Sequence, residues 1–281
     1  MEMPASHDAF DSAAQQSRAE TPVLIPGRPD PRYDWKRAWT HFRALIRNKE
    51  DTTQVFHIFE ALPWKGIYKE ATRFLESEHG RALFLAEAFL PSLLDDHAAL
   101  RRMPAGSLAH AYCDFMEREG LTAGGLVEEY ETFRSDRVRL NDRFEWYFER
   151  MRDTHDLMHV LTGYSRDALG ELCVLAFTYG QQPSPAHLFL GYAGGVEIRT
   201  RLKSKAPVLG AVREGQRLGK ACPRLVEQSI MDLLPLPIEE VRRRLKITPA
   251  SKYAECHTEW RKIGIDPYDM IAPVEGLAQA A

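Results

Sequence analysis

From Trp35 onward, apolar positions recur at helical rather than strand spacing. Trp39, Phe42, Leu45 and Ile46 follow one another at intervals of three, three and one, which puts them on one face of a helix. Val55, Phe56, Ile58, Phe59 and Leu62 make the next apolar segment, with Asp51 or Thr53 as its cap and Pro63 as its end. The same reading predicts helices over about 66–77, 80–90, 107–118, 124–134, 143–162, 166–179, 210–232 and 237–245. Pro91, Pro104, Gly106 and the run Gln181-Gln182-Pro183-Ser184-Pro185 punctuate them. Alternating apolar–polar runs that would form strands are few. The pattern therefore predicts an all-α fold, a single multi-helix domain over about 35–265. Residues 1–34, with Ile25-Pro26-Gly27-Arg28-Pro29-Asp30-Pro31 in them, are expected to be a flexible N-terminal tail, and residues 266–281 a C-terminal tail. Gly120, Gly124 and Gly125 mark where two subdomains would divide.

Composition narrows the function. A net charge of −3, with no concentrated basic run, argues against a nucleic-acid partner, which needs a basic surface to displace counterions. The four cysteines, Cys113, Cys173, Cys222 and Cys256, form no CxxC pair and are expected to be buried free thiols. No run of about 18 apolar residues is present, so no transmembrane helix is expected. The N-terminal residues, with Glu2, Asp8, Asp11 and Glu20, resemble neither a secretory signal nor an Arg-rich presequence, so a cytoplasmic location is expected.

The chemistry concentrates between Arg150 and Glu171. His155 and His159 are four apart, so on a helix their imidazoles point only about 40° apart, one turn above the other. That is how a helix offers two nitrogens to one metal. Asp156 lies about 100° from His155 and about 60° from His159 on the other side, at the edge of the same face. Two neutral nitrogens and a carboxylate suit zinc or another first-row divalent ion. On a straight helix Glu171 would sit about 18 Å beyond His159. Thr162-Gly163 offers a break, however, and Ser165 a cap for a second helix that folds back and presents Glu171, with Gly170 leaving room for close approach.

The run His155-Asp156-Leu157-Met158-His159, followed by eleven residues and Glu171, resembles the hallmark of the coenzyme Q biosynthesis protein 4 family. Trp146-Tyr147-Phe148, Arg150 and Arg152 before it and Leu169-Gly170-Glu171-Leu172 at its end are also similar, as are Gly106 to Tyr112, Gly215-Gln216-Arg217 and Pro237 to Leu245, so the resemblance covers about 40–248. Leu157 and Met158 stand where the family commonly has aromatic residues, and Pro183–Lys205 is unlike typical members.

The resemblance implies an all-helical fold with a divalent metal between helices, beside an apolar channel for a polyprenyl chain. It implies a role in ubiquinone synthesis, either as an oxidative decarboxylase of a polyprenylated 4-hydroxybenzoate derivative or as a non-catalytic lipid-binding scaffold for the pathway's enzymes. His155, Asp156, His159 and Glu171 would be the metal residues, with His155 and Asp156 also serving the chemistry. Arg150 and Arg152 would steer the substrate carboxylate. Leu161, Tyr164, Leu172, Leu175, Phe177, Leu188 and Phe189 are candidate channel walls. Drawing so insoluble a substrate from a bilayer implies a location peripheral to the inner membrane, with other ubiquinone biosynthesis proteins as partners and a homodimer as a further option. A metal phosphohydrolase of the His-Asp type is a rival reading. It needs more distant ligands, for which His110 and His187 are available.

Overall fold

In this computed structural model, the described residues are 18–48, 51, 53–135 and 138–269. Helices build the molecule, in the order α1 (Trp35–Arg47), α2 (Thr53–Ala61), α3 (Ile67–Leu75), α4 (Glu78–Ala86), α5 (Leu90–Asp95), α6 (His97–Leu100), α7 (Leu108–Glu119), α8 (Ala123–Phe133), α9 (Arg143–Asp153), α10 (His155–Thr162), α11 (Ala168–Gln181), α12 (Pro185–Leu202), α13 (Val208–Ala221), α14 (Ile230–Leu233), α15 (Ile238–Arg244) and α16 (Ser251–Lys262). Among the described residues the one β pairing is an isolated bridge between Ser107 and Pro237. The all-α expectation holds.

Caps explain many of the boundaries. Asp34, Ser77, Ser107, Thr122, Asp142, Asp167 and Ser184 each accept a hydrogen bond from a backbone N–H of the first turn they precede. Gly120 and Gly163 end α7 and α10 in the left-handed conformation, with φ of 65° and 76°.

The main core is formed where α7, α10, α11, α13 and α16 meet, and it contains Tyr112, Leu157, Leu161, Phe177, Val212 and Trp260 among its buried side chains. Two smaller clusters flank it. One joins α3, α4 and α9 through Phe74, Phe84, Trp146 and Tyr147. The other joins α1, α2 and α12 through Phe42, Ile58, Leu62 and Leu190. All four cysteines are buried and free, as expected.

The N-terminal residues depart from the expected flexible tail. Residues 1–17 lie outside the described residues, but the strap from Arg18 to Arg28 is fastened to the start of α9. The amides of Arg143 and Phe144 donate to the carbonyls of Pro22 and Val23, at 3.0 Å each. The carboxylate of Asp142 receives the Ile25 amide at 2.7 Å and the Arg28 guanidinium at 2.5 and 2.7 Å. The proline-rich composition forbade a helix but not an extended strap paid for by hydrogen bonds. Most of the expected C-terminal tail lies outside the described residues. Tyr268, within it, donates to Ser165 Oγ at 3.1 Å.

The helix expected over 143–162 is divided at Thr154, whose φ of −88° and ψ of 2° leave the α region. The helix expected from 210 begins at Val208 and ends at Ala221, before Pro223.

Candidate metal centre

Four buried side chains fix the rotation of α10: Leu157, Met158, Val160 and Leu161 face the core. Burying each contributes about 1.5–3 kcal/mol, so the helix cannot turn without losing several such terms. That rotation aims His155 and His159 at α11. Gly163 then reverses the chain, and Asp167 starts α11 by accepting the Leu169 and Gly170 amides at 3.1 and 3.2 Å. Asp167 rather than Ser165 is therefore the cap. Ser165 instead donates its amide to the Tyr253 hydroxyl at 3.2 Å. A Cβ at Gly170 would stand 1.9 Å from the Ser165 carbonyl, so only glycine permits the turn that brings Glu171 round.

The result is a tight group. His159 Nε2 is 3.3 Å from His155 Nε2, and Glu171 Oε2 is 3.5 Å from His159 Nε2 and 3.8 Å from His155 Nε2. One donor atom from each residue lies within 4.8 Å of the others. His159 is 1% exposed, whereas His155 and Glu171 are 29% and 35% exposed, so the group has a buried floor and an open mouth. His159 Nδ1 is 2.9 Å from the Tyr164 carbonyl, which can only accept. Nδ1 therefore carries a proton, which leaves Nε2 as the ring nitrogen that faces the group. Phe115 stacks on the ring at 5.5 Å and holds its plane.

Two imidazole nitrogens and a carboxylate oxygen thus converge, so that one positive charge among them would meet all three. Burial opposes a charge on His155, but Glu171 and then Asp156 outweigh it and raise its pKa. Burial would raise the Glu171 pKa, but the two imidazoles hold it far below the usual carboxylate range. A divalent cation would satisfy all three donors, and the donor set suits zinc or a similar ion.

The other predicted residues fall elsewhere. Asp156 stands outside the tight group and reaches His155 only through its charge. Arg150 faces away from it. Its guanidinium makes an ion pair with Glu87 at 2.6 Å, each side chain being 1% exposed, and donates to the carbonyls of Val226 and Gln228 at 2.9 and 2.8 Å. A substrate carboxylate would have to displace Glu87 from the interior, so the steering role expected of Arg150 is corrected to a structural one. Arg152 pairs with Asp153 at 2.7 Å.

The cation that does stand at the mouth is Arg166, half exposed, with Nε 3.6 Å from Glu171 Oε1. Sequence reasoning missed it, although it lies in the loop that delivers Glu171. His187 on α12 is buried and packs against Phe59 at 4.5 Å, close enough to His155 to feel its charge. His110 is turned to the Arg101 carbonyl at 3.1 Å, so it gives no support to a phosphohydrolase ligand set.

Of the expected channel walls, Leu161, Tyr164 and Phe177 are core residues, while Leu175 and Phe189 border the α1–α2–α12 cluster. A void of about 10 Å³ beside Met151, Thr154 and Met158 is far too small for a polyprenyl tail.

The model of the family described as coenzyme Q (ubiquinone) biosynthesis protein Coq4 matches residues 40–251. The chain belongs to the Coq4 family. A role in coenzyme Q biosynthesis goes with that membership. The match extends three residues beyond the 40–248 expected from the motifs. Among Coq4 relatives, the mitochondrial ubiquinone biosynthesis protein of Yarrowia lipolytica is 29% identical over 42% of this chain and 43% of its own length. A mitochondrial homologue from Culex quinquefasciatus is 30% identical over 36% of this chain and 42% of its own. The zebrafish (Danio rerio) homologue is 24% identical over 62% and 63%. The chain thus spans less than half the length of the first two relatives. A solved protein from Nostoc punctiforme shares the fold with a TM-score of 0.53 at 24% identity, covering 76% of this chain and 98% of that one. Among the described residues no helix is long and apolar enough to cross a membrane.

Proposed function

We propose that this protein binds one divalent metal through His155, His159 and Glu171 and uses it in the oxidative decarboxylation of a polyprenylated 4-hydroxybenzoate derivative on the way to ubiquinone. The observation that carries this reading is the number of donors. Three protein atoms converge from two helices, and the fourth side is open. A structural ion is normally closed by four protein ligands, whereas a catalytic one keeps a position for substrate.

When bound, the ion would supply Lewis-acid stabilisation of the charge that develops on the ring as CO₂ leaves. Replacing a ring carboxyl by hydroxyl is a two-electron oxidation, so dioxygen or another oxidant must enter as co-substrate. The chain's own residues have separable tasks. The Tyr164 carbonyl fixes the His159 tautomer, and Phe115 fixes the ring plane. Glu171 balances the charge of the centre. Arg166 meets the substrate carboxylate at the mouth, the role the sequence had suggested for Arg150 and Arg152. Asp156, beside the centre but outside it, orients His155 or moves a proton. Substrate lipid, the other biosynthetic proteins and a membrane surface are the partners this reading implies.

The alternative is a lipid-binding scaffold with no turnover, in which the ion would be structural. Elemental analysis tests the metal site first, with wild type beside His159→Ala and Glu171→Gln. The expected result is about one metal per chain in the wild type and a loss of at least tenfold in both variants, which corresponds to about 1.4 kcal/mol or more of binding free energy. Product analysis with a prenylated hydroxybenzoate then reads turnover. Wild type that takes up no metal after reconstitution would leave the scaffold reading.

A further inference from the structure

Where α6 meets α7, a second group of donors converges that shares no residue with His155, His159 and Glu171. His97 opens α6, a short helix started by Asp96, which accepts the Ala99 amide at 2.9 Å. Cys113 and Glu117 are four apart on α7, so their side chains point only about 40° apart, one turn above the other. One donor atom from each of the three residues, an imidazole nitrogen, a thiol sulfur and a carboxylate oxygen, lies within 4.8 Å of the others. Among the described residues this is the one such group besides that of His155, His159 and Glu171. Cys113 is buried and forms its floor, while the Glu117 side chain is 53% exposed and opens it to solvent.

Ion pairing accounts for part of this arrangement. Arg101 donates to Asp114 Oδ1 at 2.6 Å and to Glu117 Oε2 at 2.7 Å. The other oxygen of Glu117, Oε1, faces His97 Nδ1 at 3.1 Å. A carboxylate only accepts, so Nδ1 carries a proton in this contact. A surface ion pair needs nothing more, and it gives no reason for a thiol within reach of both residues. The other three cysteines are also buried and free, and none of them belongs to such a group among the described residues.

We propose that His97, Cys113 and Glu117 form a second metal site, for zinc or a similar thiophilic divalent ion, with a position left for water on the solvent side. Nitrogen, thiolate and carboxylate are the donors such ions take. Cys113 binds as the thiolate and gives its proton to water, and the proton on His97 Nδ1 leaves that nitrogen. Both displacements take place beside the Arg101 guanidinium. They make this site weaker than the one at His155, His159 and Glu171, so it fills on titration and empties on dialysis. An ion there ties α6 to α7. The opposite side of α7 carries Phe115, which stacks on His159 at 5.5 Å, so a stiffer α7 steadies that ring. The site stands whether or not His155, His159 and Glu171 hold an ion, and it is read out without turnover.

The test is cobalt(II) titration of the full, reduced chain after dialysis against a chelator, read by absorption. A thiolate bound to cobalt gives an intense charge-transfer band in the near ultraviolet, which a site of nitrogen and oxygen donors lacks. Wild type should show this band, and His159→Ala should keep it, saturating at about one bound ion per chain. Zinc, which such donors hold more tightly than cobalt, should abolish it. His97→Ala and Glu117→Gln should each weaken cobalt binding, read on the band, by at least about tenfold, and Cys113→Ser should remove the band. Glu117→Gln changes an exposed side chain, so it should fold as the wild type does and decides the matter if circular dichroism shows that Cys113→Ser does not fold. Asp114→Asn removes an equal charge beside the group but outside it, and should bind cobalt as the wild type does. The proposal is overturned by a wild type without the band, by a band that survives in folded Cys113→Ser, by undiminished affinity in His97→Ala and Glu117→Gln, or by an equal loss in Asp114→Asn. The first of these would leave His97 and Glu117 as an ordinary surface ion pair above a core thiol.

Discussion

His187 is a titratable side chain kept neutral by its surroundings. Burial first, and then the charge of His155, push its pKa down to about 3. The unfolded chain takes up a proton near the ordinary value of about 6.5, so the folded state is penalised by whatever protonation it refuses. This residue's contribution to stability is therefore intact above about pH 6.5 and is lost as pH falls from there toward 3. Removing the titratable group in His187→Phe should flatten the acid side of the stability profile, by up to about 2–3 kcal/mol at pH 4.5 relative to neutral pH. Urea midpoints measured from pH 7 to 4.5 check this, and parallel profiles for the two proteins would show that His187 is not the group responsible. The individual side chains also show what a sequence carries at this scale. His155 and His159 were legible because helical spacing alone puts them together, and Glu171 because Thr162-Gly163 could be read as a break and Gly170 as room for close approach. The partner of Arg150 was not legible. Phase along a helix says which side chains share a face but not what faces them, and Glu87 arrives from the far end of α4. Nor could spacing show that a backbone carbonyl at Tyr164 chooses the tautomer of His159.

Among the elements, α11 and α13 pack so closely that their backbones touch. A Cβ at Gly215 would stand 2.5 Å from the Cys173 carbonyl oxygen, and one at Gly219 1.9 Å from that of Phe177. Since α11 presents Glu171 at its start, this contact sets the depth at which the carboxylate meets the two histidines. Gly219→Ala must push the helices apart and should destabilise by at least about 1–3 kcal/mol, the usual cost of overpacking. Gly210→Ala on the same helix meets nothing nearer than Pro207 Cβ at 3.4 Å, and should be neutral or stabilising by up to about 1 kcal/mol through helix propensity. Denaturant titration of the pair separates packing from propensity, and equal effects would refute the close-contact account. The same physics explains why α12 was not read as a helix. The run Gln181-Gln182-Pro183-Ser184-Pro185 was read as punctuation. In the structure Pro185 starts the helix behind the Ser184 cap, while Gly191, Gly194 and Gly195 press against Leu172, Leu209 and Val212. A glycine demanded by a neighbour is indistinguishable in sequence from a glycine that breaks a helix. The uninterrupted helix expected over 143–162 failed for another reason. The Thr154 hydroxyl donates back to the Arg150 carbonyl at 3.1 Å, and the chain kinks there, which lets α10 take its own rotation against α11.

Across the whole molecule, the frame of the metal group depends on contacts distant in sequence. Arg150 and Glu87 are the clearest, an ion pair buried at both ends that joins α9 to the segment after α4, while Glu87 also receives the Met231 amide at 2.9 Å and Arg150 holds the Val226 and Gln228 carbonyls. Three chain segments therefore meet at one pair of charges, and α10 begins five residues beyond Arg150. Breaking a buried pair from one side leaves the other charge without compensation and costs about 3–5 kcal/mol. Arg150→Met should lose stability by about that amount in denaturant titration at neutral pH. Arg150→Met/Glu87→Leu, which removes both charges, should recover part of the loss despite the orphaned Met231 amide. Because the pair lies outside the metal group, the folded fraction of Arg150→Met should still bind wild-type amounts of metal, in contrast to His159→Ala. The opposite pattern, full stability with impaired handling of a carboxylate substrate, would return Arg150 to the binding role that its place before the motif suggested. The distinction matters for any reading of the family motif in this chain, because residues adjacent in sequence to His155 and His159 divide into those that face Glu171 and those that hold the scaffold around the three donors.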